Sequence, residues 1–491
     1  MIAALKPYPV MKDSGVPWLG EVPEHWEVHR LRNVAEMRVS NVDKHSKENE
    51  QPVRLCNYVD VYKNDRIRNA MNFMRATAAR DEIDRFRLEA GDVLITKDSE
   101  AWNDIGVPAL VVESADDLVC GYHLALLRPF SERLVGDYLF RALQSSGVAY
   151  QFHVEANGVT RYGLSHSAIK SICLPTPPLP EQAAIVRFVD YVDRRIRRYI
   201  RAKQKLIKLL EEQKQAVIHR AVTRGLDPNV RLKPSGVEWL GDVPEHWEVR
   251  TLGQIAVSFR TGPFGSILHQ SDYVEGGTPL VNPTHMNRGR IVEDTRCSVL
   301  SAVVGRLANY LLEKHDLIFS RRGELGRCAL VRDREAGWLC GTGSIRVRVA
   351  YAGIEPEYLI EALQVRWVGE YLSLFSVGAT MDSLNTEILK GVPVLLPSIR
   401  EQRQLLRRIA NEVRSIFQAT SNAQREISLL REYRTRLIAD VVTGKLDVRD
   451  AATRLPDETE EMESLDDTGT LPDTEESTTD DLDTAPEESE A

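Results

Sequence analysis

From residue 181 to residue 222 the chain contains neither proline nor glycine, and its apolar side chains recur in steps of four and three. Positions 185, 189, 192, 196, 199, 203, 206, 210, 213 and 217 carry Ile, Val, Val, Ile, Tyr, Lys, Leu, Leu, Gln and Val, so eight of the ten are apolar or aromatic. That period lines one face of an α-helix and reads as a coiled-coil seam. At 1.5 Å per residue the helix spans about 60 Å, and Gly225 and Pro228 end it. Residues 401–442 repeat the pattern, with Leu406, Ile409, Val413, Ile416, Ala423, Ile427, Leu430, Leu437 and Val441 on the seam and Gly444 as the stop. Two such helices in one chain most simply bury their seams on each other. Antiparallel pairing would then put a mixed domain at each end of a dumbbell; the other arrangement packs each helix on its own domain.

A mixed segment precedes each helix. Val93-Leu94-Ile95 and Leu124-Ala125-Leu126-Leu127 are short β-like runs between turn residues, 137–152 and 165–171 look helical, and the prolines at 175, 177, 178 and 180 stop regular structure. Residues 235–397 follow the same plan. The expected fold class is α+β: two mixed α/β domains joined by two long antiparallel coiled-coil helices, with a pseudo-twofold internal repeat. The expected order is an N-terminal extension (1–13), a first domain (14–180), a central long helix (181–224), a linker (225–234), a second domain (235–400), a C-terminal long helix (401–446) and an acidic tail (447–491).

The repeat is also literal. Residues 14–31, SGVPWLGEVPEHWEVHRL, and 235–252, SGVEWLGDVPEHWEVRTL, agree at 14 of 18 positions. At an offset of 220, Tyr138-Leu139 faces Tyr358-Leu359, Cys120-Gly121 faces Cys340-Gly341, and Glu181-Gln182 faces Glu401-Gln402. Residues 41–90 and 261–310 match poorly. A period this long is domain-sized, so the chain has a shared frame with different contents.

Composition narrows the class. A hydrophobic fraction of 43% fits a globular protein, and no apolar run approaches the length a membrane span needs. The N-terminus lacks a basic stretch followed by an apolar core, so it is not read as a secretory signal. Six scattered cysteines without CxxC suit a reducing cytoplasm and argue against a disulfide framework or zinc module. The formal charge of −9 hides an asymmetry: from Pro456 onward there are 16 acidic residues and no basic one, leaving 63 basic against 56 acidic in residues 1–455. Such a tail is expected to be disordered. It is read as a solubilising extension, or as a competitor of nucleic acid for the basic body.

Catalytic signatures are missing. There is no GxxxxGK[ST] loop, no strand-to-helix GxGxxG, no HExxH and no GxSxG. Asn282-Pro283-Thr284-His285 does not fit the Asn-Pro-Pro-aromatic tetrad of amino-methylating DNA methyltransferases. A binding or scaffolding protein is expected, not an enzyme.

The segments Trp-Leu-Gly-x-Val-Pro-x-His-Trp-x-Val at 18–28 and 239–249 resemble the opening of each half of the specificity (S) subunit of type I restriction-modification enzymes. Gly91–Lys97, Asp316–Arg321, Thr261–Leu268 and Pro177–Gln182 are similar to the family as well, and the resemblance covers about residues 12–447. It implies two target recognition domains reading a bipartite, asymmetric site on double-stranded DNA. It also implies that the helices act as a ruler and docking surface for two methyltransferase (M) subunits, with restriction-translocase (R) subunits joining. S-adenosylmethionine, ATP and Mg²⁺ would belong to those partners, with no cofactor or metal in this chain. One turn of B-DNA is about 34 Å, so a 60 Å ruler suits half-sites one to two turns apart. The competing readings are a coiled-coil adaptor that ignores DNA, and the recognition subunit of a related methylation-only defence system.

Candidate contacts follow where the two halves differ. Thr160-Arg161-Tyr162 aligns with Thr380-Met381-Asp382; Arg161 could hold guanine bidentately and Asp382 could accept from cytosine N4. A turn before a helix is the alternative reading. Lys97, Arg321 and Arg322 end expected strands, where they suit phosphate contact or a solvated surface. Arg260 and Ser266 flank a further candidate loop. Arg194, Arg195, Arg197, Arg198, Arg201, Lys203 and Lys205 form a basic run that lines DNA, faces an acidic partner, or is a solvated face. Trp18, Trp26, Trp239 and Trp247 recur in both halves, so they are expected to anchor each domain to its helix, not to stack on bases.

Overall fold

The structure, a computed structural model, describes residues 5–237, 240–264, 267–376 and 384–456. It is mixed α/β with two long helices, Leu179–Arg224 and Ile399–Val442. The chain divides into two compact units, residues 1–203 with 425–491, and residues 204–424.

The first unit is built on a five-stranded sheet in the order Ala35–Val39, Leu124–Pro129, Val93–Thr96, Pro108–Val111, Arg66–Ile67. Its central strand, Val-Leu-Ile-Thr, is buried throughout, as an uninterrupted apolar run must be when both faces of the sheet are covered. Leu124 pairs with Thr96, so both strands stop at one end of the sheet. A three-stranded sheet, Leu118–Cys120, Gln51–Cys56, Met74–Ala78, shares its core. The second unit has a four-stranded sheet, Ala256–Thr261, Ser344–Val349, Leu317–Ser320, Cys328–Leu330, whose Leu317–Ser320 strand is again wholly buried.

The repeated segment proves to be a joint. In the first unit its strand Glu27–Arg30 pairs with Cys173–Thr176, the strand that leads into the first long helix. Trp26 is fully buried and its indole Nε1 donates to Glu181 Oε2 at 2.7 Å, while His25 Nε2 meets Oε1 at 2.7 Å. Glu181 stands in the first turn of that helix, where a carboxylate is favoured by the exposed N–H groups and the dipole. The other side of Trp26 faces the end of the second long helix. Gly444 is left-handed (φ 75°), and a Cβ there would lie 3.0 Å from Trp26 Cζ3 and 2.2 Å from Pro23 Cδ. Glycine is needed both for the helix-ending conformation and for the approach.

The second unit repeats these contacts with the helices exchanged. Glu248–Thr251 pairs with Pro393–Leu396, Trp247 Nε1 donates to Glu401 Oε1 at 3.1 Å, and His246 meets Glu401 Oε2 at 3.0 Å. Gly225 (φ 75°), just past the end of the first helix, lies against Trp247. The Gln after each glutamate completes the clamp. Gln182 accepts from Val135 N and donates to the Arg133 and Pro177 carbonyls, and Gln402 accepts from Glu355 N and donates to those of Gly353 and Pro397. Each joint thus grips the start of one long helix and the end of the other.

Within the first unit the helix segments run antiparallel, since Asp193 meets Arg434 and Lys203 meets Glu426. All nine residues of the expected second-helix seam are buried or partly buried. The first-helix seam needs correction beyond Ile196. Tyr199 is 54% exposed and Leu206 40% exposed, whereas Ile200 is 8% exposed. The inward stripe runs 185, 189, 192, 196, 200, 203, 207, 211, 214, 218, all buried or partly buried. Its mean step is about 3.7 residues, near the 3.6 of a straight helix, and a strict 3.5 repeat drifts off such a face by about 20° per heptad. Both helices begin two residues earlier than the sequence pattern suggests; Pro180 is accommodated in the first turn, where its missing N–H costs nothing.

The first and the last described residues both join the first unit. Tyr8 is buried with its hydroxyl donating to Glu181 Oε2 at 3.2 Å, and Met11–Asp13 pairs with Glu21–Pro23. Residues 447–456, grouped with the acidic tail on composition, belong to the fold: Asp447 N donates to Lys6 O at 2.8 Å, Arg449–Thr453 is helical, and Val448 and Ala452 are buried. Arg449 neutralises the local acid, pairing with Asp447 at 2.7 Å and Glu181 at 3.3 Å and lying 5.0 Å from the Tyr8 ring. Trp26 and Trp247 are core, but Trp18 is 46% exposed and touches Tyr150, so it is not an anchor of that kind. Trp239 lies outside the described residues. No described helix is long and apolar enough to cross a membrane.

Candidate nucleic-acid interface

In the first unit the buried strand Val93–Thr96 delivers Lys97 to its end. Two backbone bonds hold the residue: Lys97 N donates to His123 O at 3.2 Å, and Leu164 N donates to Lys97 O at 2.9 Å. The second of these brings in the loop before residue 164. Asn157–Gly158 pairs with Tyr162–Gly163 as a tight hairpin, and Tyr162–Gly163 pairs in turn with Asp98–Ser99. Gly158 has φ 154° and a Cβ there would stand 1.9 Å from Arg161 O, so only glycine closes this turn. Thr160 and Arg161 are left exposed at its tip, beside Val159 at 90% exposure. Residues far apart in sequence, Lys97, Thr160, Arg161 and Tyr162, therefore form one surface.

Between the cations stand two groups that sequence reasoning missed. Asp98 Oδ2 lies 2.8 Å from His123 Nδ1 and 3.1 Å from Lys97 Nζ. Burial alone would raise the Asp98 carboxyl; the hydrogen bonds from His123 and Lys97 outweigh it and hold it below the usual range. Arg161 Nη2 is 3.4 Å from the same imidazole nitrogen. The shorter contact makes Nδ1–H the donor to Asp98, so Arg161 is near the ring without bonding to that atom. Tyr122, half-exposed, packs its ring 3.5 Å from that of His123. The signal was available: Tyr122-His123 directly follows the shared Cys120-Gly121, where the other half has Thr342-Gly343.

The second unit holds Arg321 in the same way. Arg321 N donates to Gly343 O at 2.8 Å, and Leu384 N donates to Arg321 O at 2.9 Å. Residues 343 and 384 are the counterparts of 123 and 164 at the offset of 220. Arg322 is exposed, its carbonyl accepting from Ser320 Oγ at 2.6 Å. Thus Asp98 and His123 of the first unit are replaced by Arg322 and Gly343. Arg260 lies on the neighbouring sheet position opposite Arg346, with its guanidinium 5.9 Å from the Tyr310 ring. Arg346 is lowered by its burial and by Arg348, and donates to the Asn309 and Leu311 carbonyls. Ser266, Thr380 and Asp382 lie outside the described residues, as does Met381.

The basic run of the first long helix divides. Arg197 pairs with Asp193 and Asp65, and Lys203 with Glu426. Arg197 belongs to a largely buried network in which Asp193 also receives Arg141 at 2.9 Å and Arg434 at 2.5 Å, and Asp190 receives Arg141 at 2.6 Å and Arg66 at 2.7 Å; the Lys203–Glu426 pair stands apart from it. Arg195, Arg198 and Arg201 stay exposed. No cluster of metal-binding side chains occurs among the described residues, and all six cysteines are free.

The family model for the type I restriction modification DNA specificity domain matches twice, over residues 23–209 and 244–427. A Methanocaldococcus jannaschii protein assigned as the MjaX type I restriction enzyme specificity subunit is 21% identical, over 88% of this chain and 96% of its own. The EcoBI type I restriction enzyme specificity subunit of Escherichia coli is 23% identical, over 54% of this chain and 56% of its own. Among solved structures, a chain from work on complex assembly and conformational transition of the type I R-M system superposes with a TM-score of 0.62 at 16% identity. That match covers 87% of this chain and 99% of the other, a likeness of fold.

Proposed function

The chain belongs to the type I restriction-modification DNA specificity family, and from that premise we propose that its two units each read one half of a bipartite, asymmetric DNA site. One observation carries the reading. Lys97 and Arg321 are held by equivalent pairs of backbone bonds at the ends of buried strands, while the groups beside them differ in charge. Equivalent scaffolding with unlike chemistry is what reading two different half-sites requires. Lys97 and Arg321 then suit phosphate contact, which positions the protein, and the Arg161 hairpin suits contact with base edges, which specifies sequence. Arg322, Arg260, Ser266, Thr380 and Asp382 are assigned to the second half-site.

The chain acts as a recognition subunit without chemistry of its own. It docks two methyltransferase subunits and, through them, restriction-translocase subunits; S-adenosylmethionine, ATP and Mg²⁺ serve those partners. The test is selection from randomised duplexes by the chain co-expressed with its methyltransferase partner. Two fixed half-sites separated by a spacer of fixed length should be enriched, and Arg161→Gln should relax one half alone. A single contiguous site, or none, would refute the reading.

A further inference from the structure

The exposed part of the basic run is not absorbed by the recognition surface. Arg195, Arg198 and Arg201 follow one another at helical spacing on the outward side of the first long helix. Among the described residues Arg198 and Arg201 form no ion pair, and Arg195 meets the Tyr191 and Tyr199 hydroxyls but no carboxylate. This contrasts with Arg197 on the inward side, which two aspartates neutralise. Three adjacent like charges repel one another and call for an anion.

The last described residues lie close to this stripe. Arg187 Nη2 donates to Leu455 O at 3.0 Å and to Pro456 O at 3.4 Å, so the last described residues lie against the same helix. Beyond that point come 35 residues, 457–491, with 16 acidic side chains and no basic one. Arg187 to Arg201 is about 21 Å along the helix. By random-coil statistics 35 residues have a root-mean-square end-to-end distance of about 30 Å, which exceeds that span. The tether therefore keeps a high local concentration of carboxylate at the stripe, so individually weak contacts suffice.

We propose that residues 457–491 occupy the Arg195–Arg198–Arg201 stripe as an intrachain polyanion, shielding it from nucleic acid at low ionic strength. The contact is multivalent and exposed, so salt weakens it; nucleic acid, a denser polyanion, displaces it.

The experiment uses the full chain carrying Cys173→Ser and Cys297→Ser, with nitroxide labels at Ala202→Cys and Thr479→Cys. The spin–spin distance distribution should be narrow at low salt and broaden at high salt. Replacing Arg195, Arg198 and Arg201 together by Gln should broaden it at low salt to the same extent. Circular dichroism and the melting profile check that this variant folds, as exposed positions should allow. A distribution unchanged by the triple replacement overturns the proposal. So does one that broadens only with Arg161→Gln, which would place the tail on the recognition surface instead. Neither outcome bears on the bipartite-site reading, which the duplex selection tests separately.

Discussion

Replacing Asp193 by Asn should destabilise the first unit by about 2–3 kcal/mol. The side chain is 6% exposed and its carboxylate takes Arg141 at 2.9 Å, Arg434 at 2.5 Å and Arg197 at 3.3 Å. Burial by itself raises this carboxyl, but the Arg434 hydrogen bond and the charges of Arg141, Arg197 and Arg434 overcome that and leave it well below the ordinary carboxylate range. Asparagine keeps the shape and one acceptor, and removes the charge. Hydrogen bonds to charged groups contribute about 1.5–3 kcal/mol each, so losing the equivalent of two costs about 3–6 kcal/mol. Relief of the carboxylate's desolvation returns part of this. Arg141 keeps Asp190 at 2.6 Å and Arg434 keeps Asp65 at 3.6 Å, which limits the loss further. The larger change, Asp193→Leu, strands guanidinium groups and should cost about 3–5 kcal/mol. The assay is urea unfolding of the full chain, with tryptophan fluorescence and hydrogen exchange near Trp26 reporting on the first unit. A double-mutant cycle with Arg434→Gln should give a coupling of about 1–3 kcal/mol. The sign with pH follows from the lowered carboxyl: its stabilisation is complete above the unfolded value of about 3.9 and is lost as pH falls below it. Asp193→Asn should therefore flatten the acid limb of the stability curve. An Asn variant as stable as the parent, or a coupling of zero, would refute the account of the network.

Glu181→Gln should cost about 1–3 kcal/mol, and Glu401→Gln less, because only Glu181 also receives Tyr8 and Arg449. Equal losses in parallel urea titrations would contradict that asymmetry. Gly158→Ala should reshape the hairpin at a local cost of about 1–3 kcal/mol. It should weaken discrimination at one half-site while leaving the circular dichroism spectrum unchanged; intact discrimination would remove the hairpin from recognition. Lys97→Gln and Arg321→Gln should each reduce the slope of log K against log salt by about 1, one phosphate contact apiece. Fluorescence anisotropy over a salt series measures this, and an unaltered slope would make the residue a solvated charge.

The long helices could be read from the sequence because period and the lack of Gly and Pro are local properties. The drift from Tyr199 to Ile200 could not, since both are apolar and only the packing partner chooses between them. The Asp193 network was also hidden. It joins Asp190, Asp193 and Arg197 of the first long helix to Asp65-Arg66, Arg141 and Arg434 from three other segments, so the run at 194–205 looked like unpaired charge. At the proposed recognition surface, Lys97 and Arg161 could each be named as the residue where a strand or a glycine turn ends. That His123 and Asp98 lie between them depends on the order of strands in the sheet, which no local pattern encodes.

The joints explain why one segment is nearly identical in both halves while the loops are not. Trp26 touches the first turn of one long helix through Glu181 and the last turn of the other through Gly444; Trp247 does the same with Glu401 and Gly225. A substitution there disturbs a helix start and a helix end at once, and the Glu, the Gln and the Gly would have to change with it. The hairpin at 157–163 has no such coupling. It is attached through backbone bonds at Asp98, Ser99 and Lys97, which tolerate any side chain at the tip except where Gly158 closes the turn. Changes at 159–161 should therefore alter what is read at little cost in stability, and changes at 25, 26, 181 or 444 should do the reverse.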